Sequence, residues 1–323
     1  MDFFNLDNTR KLTVSPSPHI RSTASTSGIM LHVLIALCPA LGFAVWVFGL
    51  RALLLTAVCA VSAVCWELLC CKLRRRESTV HDLSAAVTGV ILAFNLPVTL
   101  PLWEAVIGTF IAIVIVKQMF GGLGQNFANP AIVGRIVLML SFTADMTNWV
   151  LPFERGEDAV SGATPLVSRT ASYADLFFGS VGGCLGEVSA LALLIGFVYL
   201  LVMRVITPHN TIAFVGTVFV FAFLAGKDPL FEILAGGVML GAVFMATDYV
   251  TSPQTAWGKV IFGIGCGVIT CVIRFYANYA EGVSFSILIM NILTPYIDRF
   301  TETKPLGAKT KKDTNANAKE GQQ

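Results

Sequence analysis

The sequence predicts an all-α polytopic membrane protein, with about ten transmembrane helices in two inverted five-helix repeats that contain broken or half helices. Composition is the first observation behind this prediction. Of the 323 residues, 55% are hydrophobic and only 13% are charged, and the mean hydropathy is +0.74. Soluble chains carry roughly 25% charged residues. An ordinary soluble globular protein is therefore excluded.

The second observation is a series of apolar stretches near the length of about 20 residues that a helix needs to cross a bilayer. Two of them are short and bounded by Pro, Gly or Asn, which predicts broken or tilted helices inside the bundle. The ten predicted spans are Ile29–Phe48, Ala52–Cys71, Leu83–Leu96, Trp103–Met119, Pro130–Asp145, Gly186–Ile206, Ile212–Ala225, Phe231–Thr247, Gly258–Tyr276 and Val283–Ile297.

These spans divide the chain into five regions. We expect a cytoplasmic arm over 1–28, a first membrane repeat over 29–145, an extracytoplasmic loop over 146–185, a second membrane repeat over 186–299 and a disordered cytoplasmic tail over 300–323. The first apolar run is a full span without a small-residue cleavage site, so the arm is expected to stay in the cytoplasm. Any chemistry must lie in the bundle, in the loop or on partner subunits.

Orientation follows from the basic residues, because cytoplasmic flanks of spans hold an excess of Lys and Arg. With the N-terminus inside, sixteen of the 22 basic residues fall on the cytoplasmic side and five on the other, with Arg135 inside a span. Both termini are therefore predicted to be cytoplasmic and the 146–185 loop extracytoplasmic. The net charge of +2 reflects this topology better than a nucleic-acid surface, so no nucleic-acid partner is expected.

A weak internal repeat supports the inverted architecture. The stretch 108–139 and the stretch 265–297 both run from a span through a basic residue and a break into a second span. Five spans per half is an odd number, so the two halves would have opposite orientations. Inverted repeats of this kind place a binding site near the middle of the bilayer, where half-helix ends point inward.

The first candidate site is the break between the fourth and fifth spans. Gly121, Gly122 and Gly124 permit left-handed backbone, while Asn129 and Pro130 supply a helix N-cap and a first-turn proline. A helix is therefore predicted to begin at Pro130, with its positive end available to an anion or an electron-rich ring. The break lacks the Gly-Lys-Ser/Thr ending of a Walker loop. A plain tight turn between spans is the alternative.

The second candidate lies in the long loop, over Asp158-Ala-Val-Ser161-Gly162-Ala163-Thr164-Pro165. Small residues before Thr164 and a proline after it would expose the threonine hydroxyl on open backbone. Composition alone makes this just a polar loop.

Five ordered motifs, however, resemble one family. Asp158-x-x-Ser161-Gly162-Ala163-Thr164 is similar to a flavinylation motif, and four further motifs accompany it: Gly121-Gly122-x-Gly124-x-Asn126-x-x-Asn129-Pro130-Ala131, Gly186-Glu187-x-Ser189-x-Leu191-Ala192, Ala246-Thr247-Asp248-Tyr249-Val250-Thr251-Ser252-Pro253 and Glu281-Gly282-Val283-x-Phe285. Together they resemble the RnfD/NqrB family, whose members belong to the Rnf ion-translocating electron transport complex and to the sodium-pumping NADH:quinone reductase. The short N-terminal arm favours the Rnf branch.

The resemblance implies a translocase component of a bacterial inner or plasma membrane, active only within a complex that couples electron transfer between ferredoxin and NAD⁺ to Na⁺ or H⁺ movement. It implies FMN attached through its phosphate to Thr164, with Asp158 recognised by a flavin transferase and Ser161, Gly162 and Ala163 shaping access. It also implies, in some members, a second non-covalent flavin, riboflavin or FMN, near Asn126 and Asn129. The implied partners are the A, B, C, E and G subunits, the transferase and membrane lipid.

Charged residues in or near spans are candidates for ion coupling, because burying a charge is costly. The candidates are Glu67, Asp82, Glu104, Arg135, Glu187, Glu232 and Asp248. For most of them the simpler interpretation is a side chain at a span end that reaches the headgroups. Asp248 and Glu187 lie inside the motifs that carry the resemblance, so they are the predicted ion-coupling residues.

The eight cysteines form no C-x-x-C pair, so no metal site is predicted and most cysteines are interpreted as small hydrophobic residues. A cluster shared with another subunit stays open. Two rival functions also remain: a channel or secondary transporter without redox function, which an inverted repeat would serve equally well, and a structural scaffold. The motif around Thr164 distinguishes the redox interpretation from both.

Overall fold

The computed structural model describes residues 25–76, 78–153, 161–162, 165–169, 171–179, 181–277 and 281–302. Most of the described chain is helical. The α-helices are α1 (Thr26–Phe48), α2 (Leu50–Leu73), α3 (Ser84–Phe94), α4 (Leu102–Phe110), α5 (Pro130–Ser141), α6 (Thr143–Met146), α7 (Pro165–Ser168), α8 (Tyr173–Phe178), α9 (Ala190–Val202), α10 (Pro208–Leu224), α11 (Pro229–Leu234), α12 (Val238–Leu240), α13 (Ala256–Tyr276) and α14 (Val283–Thr301).

Shorter elements complete the described chain. Two π-helical stretches, Ile111–Gln118 and Gly241–Met245, continue α4 and α12, and 3₁₀ turns cover Val80–Asp82 and Leu185–Glu187. Strands β1 (Trp149–Val150) and β2 (Ser161–Gly162) pair antiparallel. Each of the ten predicted spans contains a helix in this structure.

Three helices, α1, α2 and α13, are long and apolar enough to cross a membrane. Their outward side chains are large and apolar: Leu50 is 77% exposed, Val61 63% and Trp257 75%. A water-soluble protein avoids such continuous apolar surface, whereas a bilayer accepts it. The predicted class, an all-α membrane protein, is confirmed.

Small residues mark the places where helices come closest. A Cβ at Gly89 of α3 would lie 2.5 Å from the carbonyl oxygen of Cys59 in α2, and one at Gly196 of α9 would lie 2.4 Å from that of Ala36 in α1. In α13, a Cβ at Gly263 would lie 2.6 Å from the carbonyl oxygen of Asn210 in α10. The hydrophobic effect does not drive helices together in lipid, so close packing of this kind stabilises their association instead.

Among the described residues, the two halves of the chain meet at two helix pairs and where the 3₁₀ turn Leu185–Glu187 packs against α1 and α3. The first helix of each half, α1 and α9, pack together, and so do the last helices, α5 and α14. Within the first half α2 packs on α3 and α4, and within the second half α10 packs on α11 and α13. One continuous apolar core, from Ala36 in α1 to Ile297 in α14, runs through both halves.

Broken helices were predicted, and the structure contains them. Helix α11 ends where Ala235 turns to extended backbone and Gly236 takes a φ of 69°, so the predicted span Phe231–Thr247 is not one continuous helix. Its second part, α12, passes at once into the π-helical stretch. Such π-helical segments are frequently found at functional sites, and in this protein both contribute residues to the same cleft.

Candidate functional site

The glycine and asparagine break has the backbone that its sequence predicts. Gly121, Gly122 and Gly124 have φ values of 130°, 103° and 90°, which residues with a Cβ rarely adopt. The Asn129 side chain accepts a hydrogen bond from the backbone N–H of Ala131 at 3.0 Å, and Pro130 is the first residue of α5. The predicted N-cap and the predicted start of the helix are both confirmed.

A cleft opens beside this break. Its cavity volume is about 80 Å³, and its walls come from α1, α3, both π-helical stretches, the end of α9 and the segment after Met245. Asn126, Asn129, Pro130 and Ala131 line it, whereas the three glycines do not. A few polar groups on a mainly apolar wall are typical of a ligand site. The glycines therefore shape the turn that presents the two asparagines.

Asn126 is the cleft residue with an unused hydrogen-bonding group. Its Oδ1 atom is buried and has no hydrogen-bond partner among the described residues. Buried polar atoms in folded proteins are normally satisfied by a partner or by a bound molecule. This oxygen therefore fits a ligand that brings its own donor.

Asp248, a predicted ion-coupling residue, lines the same cleft. Its carboxylate accepts a hydrogen bond from the hydroxyl of Thr251 at 3.0 Å. The amide of Asn291 on α14, in its hydrogen-bonding orientation, donates to the Thr251 carbonyl at 3.2 Å and accepts from the Asn129 backbone N–H at 3.0 Å. Two motifs more than a hundred residues apart in sequence therefore share one wall.

A buried ion pair lies next to the cleft. Lys117, at the end of the first π-helical stretch and in the cleft wall, places its Nζ 2.8 Å from Oε1 of Glu67 and 2.6 Å from the hydroxyl of Ser84. The same Glu67 oxygen accepts from Thr79 at 2.9 Å and from Gln118 at 3.0 Å. Lys117 is 1% exposed and Glu67 0%.

A second buried charge cluster is centred on Arg135 of α5. Its guanidinium donates to Oδ1 of Asn95 at 2.8 Å, to the hydroxyl of Ser284 at 3.1 Å and to the carboxylate of Glu281. Glu187 is held less closely, with 3.7 Å between its Oε1 and Nη2 of Arg135. The Glu187 Oε1 atom has no hydrogen-bond partner among the described residues.

Arg274 of α13 extends the charged region toward the loop. It donates to the backbone carbonyl of Glu232 at 2.6 Å and to the Glu232 carboxylate at 3.3 Å, and it also donates to the carbonyl of Ala235 at 3.1 Å. Glu232 in turn pairs with Arg169, whose guanidinium lies 3.3 Å away and whose side chain is 48% exposed. The long loop is thus tied to the break after α11.

These contacts correct one interpretation. The sequence favours, for most of the charged candidates, a position at a span end with the side chain reaching the headgroups. That interpretation is wrong for five residues that are buried within the protein: Glu67, Glu104, Arg135, Glu187 and Glu232. Four of the five have an ion-pair partner, and those partners lower the cost of burial. The exception is Glu104, whose Oε2 atom has no hydrogen-bond partner in the part of the chain that the structure describes.

The motif that resembles a flavinylation site lies mostly outside the described residues. Asp158, Ala163 and Thr164 are not among them, while Ser161 and Gly162 form β2 against β1. Helix α7 begins directly after Thr164, and its Leu166 side chain lies so close to Gly236 that an added Cβ there would be 2.7 Å away. The residues that follow the motif therefore contact the break after α11.

A second contact holds the loop at its far end. The Tyr173 hydroxyl of α8 donates a hydrogen bond to the carboxylate of Asp228, which also caps α11 by accepting from the backbone N–H groups of Leu230 and Phe231. The hydrogen bond raises the pKa of the Tyr173 phenol and lowers the pKa of Asp228. The part of the loop that follows Thr164 is thus fixed to the membrane helices at more than one point.

Within the part of the chain that the structure describes, one cluster has ligand atoms close enough for a metal ion. Cys184, Glu187 and Glu281 each offer an atom within 4.8 Å of the others. The Arg135 guanidinium already lies among these atoms, 3.6 Å from the Cys184 sulfur, and it pairs with both carboxylates. We therefore interpret this cluster as an ion-pair network.

Comparison with known proteins shows the same family that the sequence motifs resemble, and the match covers nearly the whole chain. The NQR2, RnfD, RnfE family model matches residues 13–307. The D subunit of the Na⁺-translocating ferredoxin:NAD⁺ oxidoreductase complex of Acetobacterium woodii is 50% identical over 320 residues, which cover 96% of this chain and 100% of the relative. The D subunit of the proton-translocating complex of Clostridium ljungdahlii is 40% identical, over 92% of this chain and 96% of the relative.

Proposed function

The chain belongs to the NQR2, RnfD, RnfE family, and we propose that it is the D subunit of an ion-translocating ferredoxin:NAD⁺ oxidoreductase complex in a bacterial cell membrane. The relatives are named as D subunits of such complexes. We therefore propose that this chain works only together with partner subunits. The observation that carries the proposal is the cleft where the glycine and asparagine break meets Asp248.

Thr164 is the proposed attachment point of FMN. The threonine hydroxyl supplies the oxygen of a phosphoester, and a flavin transferase would recognise Asp158 and the small residues before Thr164. Support comes from the residues on either side, since β2 precedes Thr164 and the buried Pro165 of α7 follows it. Anchoring both flanks would hold a tethered group at a fixed place relative to the bundle.

The cleft is the proposed site of the second, non-covalent flavin. Its apolar walls suit a flat aromatic ring, the unpartnered Oδ1 of Asn126 suits a ring donor, and the N-terminal end of α5 favours electron-rich groups. A bound flavin supplies the one- and two-electron chemistry, while the protein binds and orients it. Lys117, in the cleft wall, is neutralised by Glu67, so the pair adds a fixed dipole and no net charge.

We propose the inverted five-helix repeat and its topology as the arrangement that separates the two sites. Helix α1 packs on α9, and α5 packs on α14. Each pair joins helices that hold the same position in the two halves, and this supports a two-fold relation between them. The charge distribution supports cytoplasmic termini, a cytoplasmic break and an extracytoplasmic Thr164. Electrons would then cross between two flavins on opposite faces.

For ion coupling we propose Glu187 and Asp248. Three guanidinium groups, those of Arg135, Arg274 and the half-exposed Arg169, balance three buried carboxylates, those of Glu187, Glu232 and Glu281. A carboxylate that is only loosely paired in a low-dielectric interior favours uptake of a proton or cation. Glu187 is the carboxylate held most loosely by Arg135, and Asp248 lies in the cleft wall.

The proposal is tested by flavinylation. The chain is produced together with a flavin transferase, and we expect fluorescence that survives denaturing electrophoresis and disappears with Thr164→Val. Thr147→Val, in the same loop, is the matched control and should stay fluorescent. A dark wild-type band, or fluorescence in Thr164→Val, contradicts the attachment and favours a channel or transporter.

Electron transfer is tested separately in membranes that contain the whole complex. Thr164→Val should abolish ferredoxin-driven NAD⁺ reduction, while Thr147→Val should leave it unchanged. Normal turnover in Thr164→Val would leave only a scaffold role for this chain. The sodium dependence of transport into inverted vesicles identifies the coupling ion.

A further inference from the structure

An apolar groove runs along the outer face of α2. Its floor and walls are side chains of α2 from Leu50 to Leu69, together with Val106 of α4. The groove encloses about 1420 Å³, its open side included. Ser62 is the one hydroxyl-bearing residue in its described lining, so the groove suits hydrocarbon.

A second hollow of about 830 Å³ continues the groove at the C-terminal end of α2. The two hollows share Cys65 and Leu69, which lie one helical turn apart. Lys72, Arg76 and Ser78 line the second hollow, and both basic side chains are exposed. The groove therefore ends at two positive charges.

No described acidic residue lines either hollow. Glu67, the carboxylate of the neighbouring turn, is buried on the opposite side of α2 and pairs with Lys117. Arg76 makes one hydrogen bond, to the carbonyl of Gly121 at 3.3 Å, and Lys72 makes none to any described residue. Glu77, between Arg76 and Ser78, lies outside the described residues, and the four basic residues at 72, 74, 75 and 76 outnumber it, so this end of the groove keeps a net positive charge.

The depth of these charges matches a phospholipid headgroup. Helix α2 has 24 residues and is therefore about 36 Å long, against about 30 Å for the hydrocarbon core. Lys72 lies in the last turn of α2 and Arg76 follows shortly after its end. With α2 spanning the bilayer, both charges would lie at the depth of the lipid phosphates, and Val61 and Leu69 at the depth of the acyl chains.

We propose that this groove is a binding site for one anionic phospholipid, with its phosphate between Lys72 and Arg76 and its acyl chains along α2 from Leu69 toward Val61. The apolar part alone would accept any lipid or a helix of another subunit. The basic side chains at its end outnumber the one neighbouring carboxylate in sequence, Glu77, and so select a negatively charged headgroup. This site is separate from the cleft and from Thr164.

The test is native mass spectrometry of the purified full chain, titrated with dioleoylphosphatidylglycerol or with zwitterionic dioleoylphosphatidylcholine. We expect one tightly retained molecule of the anionic lipid and weaker retention of the zwitterionic one. Each basic side chain near a bilayer surface strengthens binding by about fivefold, so the double variant K72Q/R76Q should bind phosphatidylglycerol about 25-fold more weakly. The control K259Q/R204Q removes equal charge elsewhere and should retain it.

A second variant fills the groove without changing its charge. Val61→Trp should displace the lipid, whereas Ile212→Trp, on the exposed face of α10, should not. Equal retention of both lipids, or equal binding by K72Q/R76Q and its control, overturns the proposal. So does a cross-link in the assembled complex from Val61→Cys to a helix of another subunit, because that helix would then occupy the groove.

Discussion

Lys117 and Glu67 form an ion pair of 2.8 Å, with both side chains buried and with one of them in the wall of the cleft. The pair joins α2 to the π-helical stretch that precedes the glycine break. Ser84, Thr79 and Gln118 complete its hydrogen bonds. The break therefore starts from a fixed point, although its glycines would otherwise allow many conformations.

We expect Lys117→Met to lower the stability of the protein strongly, because Glu67 would remain as an unpaired buried charge. Breaking one partner of a buried pair typically costs about 3–5 kcal/mol. The double variant Lys117→Met/Glu67→Leu should recover most of this loss. Thermal unfolding of the purified chain in one detergent measures the effect, with the exposed Lys72→Gln as control. A double variant as unstable as the single one would show that the pair itself is not the cause.

The Arg135 cluster predicts unequal effects for its two carboxylates. Glu281 is hydrogen-bonded to the Arg135 guanidinium, whereas Glu187 lies 3.7 Å from it. Glu281→Gln should therefore destabilise the protein more than Glu187→Gln. If Glu187 takes part in ion coupling, Glu187→Gln should keep a near-normal melting temperature yet lose ion transport into inverted vesicles of the whole complex.

Two results would count against this assignment. Equal losses of melting temperature in Glu187→Gln and Glu281→Gln would mean that both carboxylates are structural. Wild-type ion transport in Glu187→Gln would exclude Glu187 from the ion path and leave Asp248 as the candidate.

Local rules predict the features that depend on neighbouring residues. The start of α5 follows from Asn129 and Pro130, because a cap and a first-turn proline act within one turn. Positive φ angles at Gly121, Gly122 and Gly124 follow from the absence of a side chain. Apolar runs of sufficient length likewise predict α1, α2 and α13.

The buried charges could not be predicted in this way. Glu67 and Lys117 are 50 residues apart in sequence, and Arg135 and Glu281 are 146 apart. Each residue taken alone is best explained by a position near a headgroup, since burial without a partner is unfavourable. Only the packing of α2 on the α4 segment, and of α5 on α14, brings the partners together.

Close helix contacts at glycine give a matched pair of substitutions. Gly196→Ala places a Cβ 2.4 Å from the Ala36 carbonyl oxygen and should destabilise the protein by about 1–3 kcal/mol, because α1 and α9 must separate. Gly216→Ala, in α10 with nothing within 4 Å of its Cβ, should be neutral or stabilising by up to about 1 kcal/mol. Thermal unfolding compares the two. A similar loss in both would assign the effect to helix propensity.

The two asparagines of the break should separate flavin binding from folding. Asn129 caps α5, so Asn129→Ala should cost about 1 kcal/mol of stability, while Asn129→Asp keeps the accepting oxygen and should retain the cap. Asn126 Oδ1 has no partner among the described residues, so Asn126→Ala should leave stability unchanged and reduce the non-covalent flavin that denaturation releases. Fluorescence of the released flavin, measured in a Thr164→Val background, reports this site alone. Full flavin content in Asn126→Ala would place the second flavin elsewhere, and a matching fall in melting temperature would make Asn126 a structural residue.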